Sequence, residues 1–205
     1  MNLTTEVHGD RAESKVHQTA EHIGGGWIRR SDDWYDGGAP NPTYQEHLLS
    51  YRNILQVHTK HRVIAPVVHA LLAEFGWLVD TAHAQSAVMT GAFPTGEGSS
   101  LAVDQSRIAP VDPQTSLLKA VTYERQIVCK KDGTFDGGTF GPALTGPLTQ
   151  VSCISKRSHA PGETITVYVW HPEVRMFLLV RSEKPAAFGG TEIQTRRFES
   201  IEITP

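Results

Sequence analysis

The apolar side chains between residues 43 and 84 recur at a spacing that favours helices. In the first half of this stretch they follow one helix face, at Leu48, Tyr51, Ile54 and Leu55. Pro66 interrupts the pattern, and an interior proline removes one backbone hydrogen bond and clashes with the preceding turn. The sequence therefore predicts one kinked helix, or two consecutive helices of which the second begins at Pro66.

From Leu117 onward apolar and polar positions alternate, and β-branched residues become frequent. This period of two is typical of strands. The pattern predicts five strands, near 118–130, 148–155, 163–170, 174–182 and 191–203. Both the even and the odd positions of 174–182 are apolar, so we expect this strand to be central, with both faces buried.

The first 42 residues are polar and rich in glycine, but they include Trp27, Trp34 and Tyr35. We interpret residues 1–42 as an extended arm that either wraps the domain or docks on a partner protein or a second copy of the chain. Residues 85–116 are expected to be rich in loops, with one short strand near Ser100–Asp104. Helices followed by antiparallel strands make an α+β fold, in which the helical part packs on one face of a sheet of about five strands. We expect residues 43–205 to form this single domain.

Composition narrows the possible functions only slightly. A formal net charge of −3 over 205 residues argues against a protein that coats nucleic acid or an anionic membrane through bulk charge. The N-terminus shows no signal-peptide pattern, and no apolar run is long enough to span a membrane, so we expect a cytoplasmic protein. Cys129 and Cys153 are expected to be free, buried thiols, with a disulfide between adjacent strands as the alternative.

Three histidines, His47, His58 and His69, follow one another at equal intervals. On helices this spacing is too long for the three to share one metal ion, so we expect no metal site there. His47 and His58 fall on the apolar face of the first predicted helix, beside Tyr51. One hypothesis is therefore a small-molecule enzyme that uses these three groups for acid–base chemistry in a pocket between helix and sheet.

Asp104 is followed by the stretch "TYERQIVC", in which Glu124 and Gln126 are two residues apart and so point to the same face of a strand. Two carboxylates in this position can hold a divalent cation that activates water. The arrangement resembles the metal-binding core of the PD-(D/E)XK nucleases, with Gln126 where that family has lysine. The resemblance implies a Mg²⁺-dependent nuclease or phosphodiesterase that uses Asp104, Glu124 and Gln126, with Glu74 as a further ligand.

Basic residues gather at one end of the predicted sheet if its strands run up and down as a meander. They are Lys119, Lys156, Arg157, Arg181 and Lys184. Glu163 and Glu183 lie at the same end, which leaves an excess of three positive charges, five minus two. Such a cluster can contact the phosphates of nucleic acid. The leading hypothesis is a non-enzymatic binding or assembly module, a subunit of a larger complex, which binds nucleic acid through this end and a protein partner through its arm.

Overall fold

The chain forms a closed barrel of antiparallel strands in a computed structural model. The structure describes residues 1–9, 13–63, 82–109, 121–158, 160, 162–186 and 189–203. The strands in these residues are β1 (Asn2–Gly9), β2 (Glu13–Gly24), β3 (Trp27–Asp36), β4 (Tyr44–Tyr51), β5 (Leu55–Val63), β6 (Ala82–Gly91), β7 (Ser100–Ala109), β8 (Val121–Asp136), β9 (Pro147–Arg157), β10 (Glu163–His171), β11 (Met176–Pro185) and β12 (Thr191–Glu202). A short 3-10 helix, Gly137–Phe140, follows β8.

Each strand pairs with its neighbours in chain order, and β1 closes the barrel by pairing with β12. Because consecutive strands run in opposite directions, the connections between them lie alternately at the two ends of the barrel. We call the end with the β4–β5 and β10–β11 turns the plugged end. The opposite end, where β7 and β9 finish and β8 starts, is called the arginine end.

The predicted α+β fold is wrong, because residues 43–84 are not helical where the structure describes them. They form β4, β5 and the start of β6, while Pro66, His69 and Glu74 lie outside the described residues. Leu48 and Ser50 are buried inward-facing residues of β4. Leu49 and Tyr51, at the alternate positions, are apolar. The strand therefore lacks a clear alternation, and its apolar positions match a helical spacing. No helix in the described part of the chain is long and apolar enough to cross a membrane.

The interpretation of residues 1–42 as an extended arm is also wrong. They contain β1, β2 and β3, which belong to the barrel wall and alternate between buried and exposed positions. The buried positions include polar residues, among them Thr5, Gln18 and Asp32, so apolar periodicity could not reveal these strands. The predicted loop region 85–116 contains most of β6 and all of β7, and the first half of β7 is the short strand predicted near Ser100–Asp104.

The last five strands, β8 to β12, lie close to their predicted positions, but they belong to the barrel and carry no helical layer. The expectation that both faces of 174–182 are buried is confirmed. Met176, Phe177 and Leu178 are consecutive residues of β11 and are at most 1% exposed. Met176 and Leu178 pack in one apolar cluster with residues of β1, β2, β3 and β12, whereas Phe177 packs in a second cluster with residues of β5, β7, β8 and β9.

Two segments fill the plugged end of the barrel. The β10–β11 turn reaches across to β2, where Nε2 of His22 donates a hydrogen bond to the carbonyl oxygen of Val174 (2.6 Å). The segment after the 3-10 helix reaches β12, where the amide of Ala143 donates to the carbonyl of Phe198 (3.1 Å) and Leu144 is fully buried. Both segments bring apolar side chains into the first cluster, so this end is closed by packed hydrophobic residues.

Among the described residues, β5 and β6 pair at His58–His83 and Thr59–Ala82. Inward side chains of β7 also reach the backbone of β5 directly. Gln105 and Arg107 both donate to the carbonyl oxygen of Gln56, at 2.8 and 2.7 Å. These side-chain bonds join β5 to β7 across the interior of the barrel.

Cys129 and Cys153 are not free thiols, because they form a disulfide. They are directly opposite each other on β8 and β9, with Cα atoms 4.0 Å apart, and both are buried in the second cluster. The expectation of two free thiols is therefore wrong, and the alternative of a cross-strand disulfide is confirmed. The sequence places both residues in apolar strands but contains nothing that fixes their register.

We expect Gly141→Ala to destabilise the fold more than Gly146→Ala. Both glycines have positive φ, 135° and 72°, but a Cβ at Gly141 would collide with the backbone N and O of Phe198, whereas at Gly146 it would meet nothing within 4 Å. The difference in the free energy of unfolding should be about 2 kcal/mol, measured by urea denaturation. Equal losses would mean that the segment does not pack on β12.

Replacement of both cysteines, Cys129→Ala with Cys153→Ala, should lower the free energy of unfolding by about 3 kcal/mol in the absence of reductant. The bond closes a loop with a sequence separation of 24 and thereby restricts the unfolded chain. Reductant is the control, because it should destabilise the wild-type protein and leave the double variant unchanged. Identical urea midpoints for the wild type with and without reductant would contradict the disulfide.

Candidate anion-binding site

The inward face of the barrel changes from apolar to polar along its axis. Near the plugged end the inward residues belong to the two apolar clusters. Toward the arginine end several inward residues are polar or charged and still buried. They are Gln18, Arg30, Asp32, Thr59, Gln105, Arg107 and Ser155. Buried polar groups require partners, so the contacts of each charge distinguish a structural network from a site that can accept a ligand.

One group of charges, on β3, β4 and β12, is balanced. Nε of Arg30 lies 3.0 Å from Oδ1 of Asp32, and Nη2 of Arg30 lies 3.6 Å from Oε2 of Glu46. Arg196 interacts electrostatically with both carboxylates. Its guanidinium lies 5.0 Å from the centroid of the Trp34 ring. Two arginines thus face two carboxylates. We call Arg30, Asp32, Glu46 and Arg196 the balanced network.

The balanced network also supports the middle of the barrel. Nη1 of Arg30 donates to Oδ1 of Asn53 (2.6 Å), and Nδ2 of Asn53 donates to the carbonyl oxygen of Phe177 (2.7 Å). Asp32 accepts a further hydrogen bond from Nε2 of Gln18 (2.8 Å). The β4–β5 turn is therefore tied both to β3 and to β11. These contacts explain the network as part of the architecture.

A second group of charges, on β8 and β9, is not balanced. Arg125 and Arg157 are directly opposite each other on these strands. Nε of Arg125 donates to Oγ of Ser155 (2.8 Å), and the Arg157 guanidinium lies 5.5 Å from the centroid of the Tyr123 ring. Within the described residues, neither arginine forms an ion pair with a carboxylate. We call Arg125 and Arg157 the arginine pair.

The surroundings of Arg125 disfavour its charge. Burial, together with the neighbouring positive charges of Arg157 and Arg107, lowers its pKa to about 10. Tyr168 lies between the two groups of charges. Burial raises the pKa of its hydroxyl, whereas the nearby Arg125, Arg30 and Arg196 lower it. Arg125 thus remains charged at neutral pH in a region where the nearest strong charges on β7 and β9 repel it.

The register of three strands produces this arrangement. Gln105 on β7, Arg125 on β8 and Arg157 on β9 form one row of Cα partners. On β8 the inward positions continue from Arg125 to the buried Ile127 and Cys129. Sequence reasoning missed Arg125 and Ser155 as residues of this site. The alternation of Arg125 with Ile127 and Cys129 was the one available signal that the arginine faces inward.

The predicted basic cluster is only partly assembled. Arg157 belongs to the arginine pair, and Lys156 beside it is exposed. Arg181 lies 2.9 Å from Glu183, and Lys184 lies 3.2 Å from Glu192, so both are neutralised by partners. Lys119 lies outside the described residues. The strands do run as a meander, but among the described cluster residues the predicted excess of charge reduces to Lys156 and Arg157 against Glu163, the cross-strand partner of Lys156.

The residues of the predicted nuclease core lie on the outer face of β7 and β8. Nε2 of Gln126 donates to Oδ1 of Asp104 (3.1 Å). Both line a shallow pocket of about 310 Å³ together with Glu124, Lys156 and Ser158, and the arginine pair and Gln105 line the same pocket. The described residues contain no group of three or more His, Cys, Asp or Glu that could hold a metal ion, and Glu74 lies outside them. Among the described residues, Asp104, Glu124 and Gln126 therefore have no third acidic or histidine ligand beside them to support a Mg²⁺ site.

The three residues of the acid–base hypothesis do not converge. His47 is the cross-strand partner of Lys60, and His58 is the partner of Leu49 and His83. Burial, followed by the charges of His83, Lys60 and Arg107, lowers the pKa of His58. Tyr51 lies at the plugged end, where its ring contacts Trp27 and Phe93 at centroid distances of 5.4 and 5.3 Å.

Comparison with models of protein families, with curated protein sequences and with solved structures finds no match to this chain. Function is therefore inferred from the geometry of the barrel interior. In that interior, the described residues give the arginine pair no carboxylate partner.

We expect Glu46→Gln to change the pH dependence of stability. Burial raises the pKa of Glu46 from 4.5 to about 7, against the attraction of Arg30. The folded state therefore holds this proton more tightly than the unfolded state, and the free energy of unfolding falls as the pH rises from about 5 to about 8. The variant stays neutral, so it should nearly match the wild type near pH 5 and exceed it by roughly 2–3 kcal/mol near pH 8.

Chemical denaturation at several pH values measures this difference. The control is Glu163→Gln, which neutralises an exposed carboxylate at the start of β10 and should leave the pH dependence of the wild type in place. A constant offset between Glu46→Gln and the wild type at all pH values would contradict the raised pKa.

Proposed function

We propose that the protein is a binding protein whose ligand carries an oxyanion group, held by the arginine pair at the arginine end of the barrel. One observation carries the proposal. Arg125 is half-buried and charged, yet the described residues give it a hydroxyl partner, Ser155, and no carboxylate. A bound anion would supply the opposite charge that the described residues do not.

The energetic cost of a guanidinium group without a counter-charge favours a bound ligand at the arginine pair. Removing a guanidinium from water is costly unless an opposite charge and hydrogen-bond acceptors replace the solvent. Nε of Arg125 donates to Oγ of Ser155, and among the described residues its two Nη groups form no hydrogen bond. A guanidinium with two free donors binds the paired oxygens of a carboxylate or phosphate in a bidentate manner.

The other hypotheses receive less support. The nucleic-acid hypothesis relied on a cluster of five basic residues. Two of them, Arg181 and Lys184, form ion pairs with glutamates. The metal-dependent hypothesis has no metal site among the described residues. Binding of a protein partner stays a prediction, and the N-terminal residues that were to provide it form strands of the barrel wall.

Isothermal titration calorimetry with inorganic phosphate, sulfate and benzoate at low ionic strength tests the proposal. We expect at least one of these anions to bind the wild-type protein with one site per chain. Arg125→Gln and Arg157→Gln should each weaken that binding about tenfold or more, because each removes charged hydrogen bonds to the anion.

The matched control is Arg181→Gln. It removes the same charge at the same end of the barrel, but from a residue that already has Glu183 as a partner, so its affinity should stay within about twofold of the wild type. The proposal fails if none of the three anions binds, or if Arg181→Gln weakens binding as much as Arg125→Gln.

A further inference from the structure

Positive and negative side chains are paired in the balanced network of the barrel interior, but not in the arginine pair. In the balanced network two arginines, Arg30 and Arg196, face two carboxylates, Asp32 and Glu46. The arginine pair contains the same number of guanidinium groups and no carboxylate partner among the described residues. Arg125 and Arg157 together carry two positive charges, so a ligand with two negative charges would neutralise both.

We propose that the ligand of this site is a small-molecule phosphate monoester, which brings both of these charges in one group. The inference rests on the proposed function and names the class of its ligand. A phosphate monoester has a second pKa near 6 and is therefore close to a dianion at neutral pH. A carboxylate, a sulfate ester or a phosphodiester brings one negative charge and would leave one guanidinium uncompensated.

The position of the two arginines fits one group better than two. Arg125 and Arg157 are direct cross-strand partners, and the Cα atoms of such partners are about 5 Å apart. Two guanidinium groups that start from neighbouring positions can grip the three terminal oxygens of one phosphate from two sides. Two separate monoanions in the same space would repel each other.

A nucleic acid is the less suitable ligand on the same grounds. Each phosphodiester of its backbone carries one charge, and binding to a strand requires a series of cations along a surface. Arg181 and Lys184, which would extend such a series from Arg157, are paired with Glu183 and Glu192. Arg125 is half-buried, which favours a single terminal phosphate over a continuous chain.

Phenyl phosphate and phenyl sulfate provide a matched test, because they share their shape and their three terminal oxygens and differ by one charge at pH 8. We expect phenyl phosphate to bind the full-length protein at least about tenfold more tightly than phenyl sulfate at equal ionic strength. Arg157→Gln, which leaves Arg125 as the remaining member of the pair, should reduce this preference. Arg181→Gln should preserve it.

The outcomes separate this inference from the proposed function. Equal affinity for the two esters would overturn the inference and leave an oxyanion site in place. Failure of phenyl phosphate to bind, while inorganic phosphate or benzoate binds, would also overturn it. If no anion of any kind binds, the proposed function falls and the inference falls with it. Tighter binding of a single-stranded oligonucleotide than of phenyl phosphate would replace the inference with recognition of nucleic acid.

Discussion

The hydrogen-bonded pairing of β1 with β12 is the constraint on which the rest of the structure depends. It joins the two ends of a long meander, from Asn2–Glu202 to Gly9–Gln194, and so encloses one face of every strand. Once that face is enclosed, its polar side chains can no longer rely on solvent and must find partners inside. Arg30 and Asp32 do so with each other. Arg125 instead has a hydroxyl partner and positively charged neighbours. Because it lacks a carboxylate partner among the described residues, the arginine end is the candidate site for an anion.

The second organising feature is a strand with no exposed face in its first half. β11 begins with Met176, Phe177 and Leu178, which send side chains alternately into two apolar clusters. The turn that precedes it crosses the plugged end to His22, and Asn53 bonds to its backbone at Phe177. The barrel is consequently packed with side chains at this end, and the polar part of the interior is confined to the other end. A site for an anion can exist only where the packing changes in this way.

The sequence allowed some of this to be predicted and concealed the rest for identifiable reasons. Strands β8 to β12 and the double burial of 174–182 followed from alternation of apolar residues. β1 to β3 could not be recognised because their inward positions include Thr5, Gln18 and Asp32, which a pattern of apolar positions reads as surface. β4 was mistaken for helix because apolar residues occupy both of its faces. The inward direction of Arg125 depends on long-range register, and charge alone cannot indicate on which side of a wall an arginine lies.

The disulfide affects how precisely Arg125 and Arg157 are positioned relative to each other. Cys129 and Cys153 are opposite each other on the same two strands that carry Arg125 and Arg157. A slip of β9 by one residue along β8 would send Arg157 to the outer surface and separate it from its partner. A covalent bond between the strands excludes that slip wherever the chain has been oxidised correctly. The disulfide therefore fixes the register of β8 and β9. Correct oxidation of the two cysteines also keeps Arg125 opposite Arg157, where the positive charge has no carboxylate partner among the described residues.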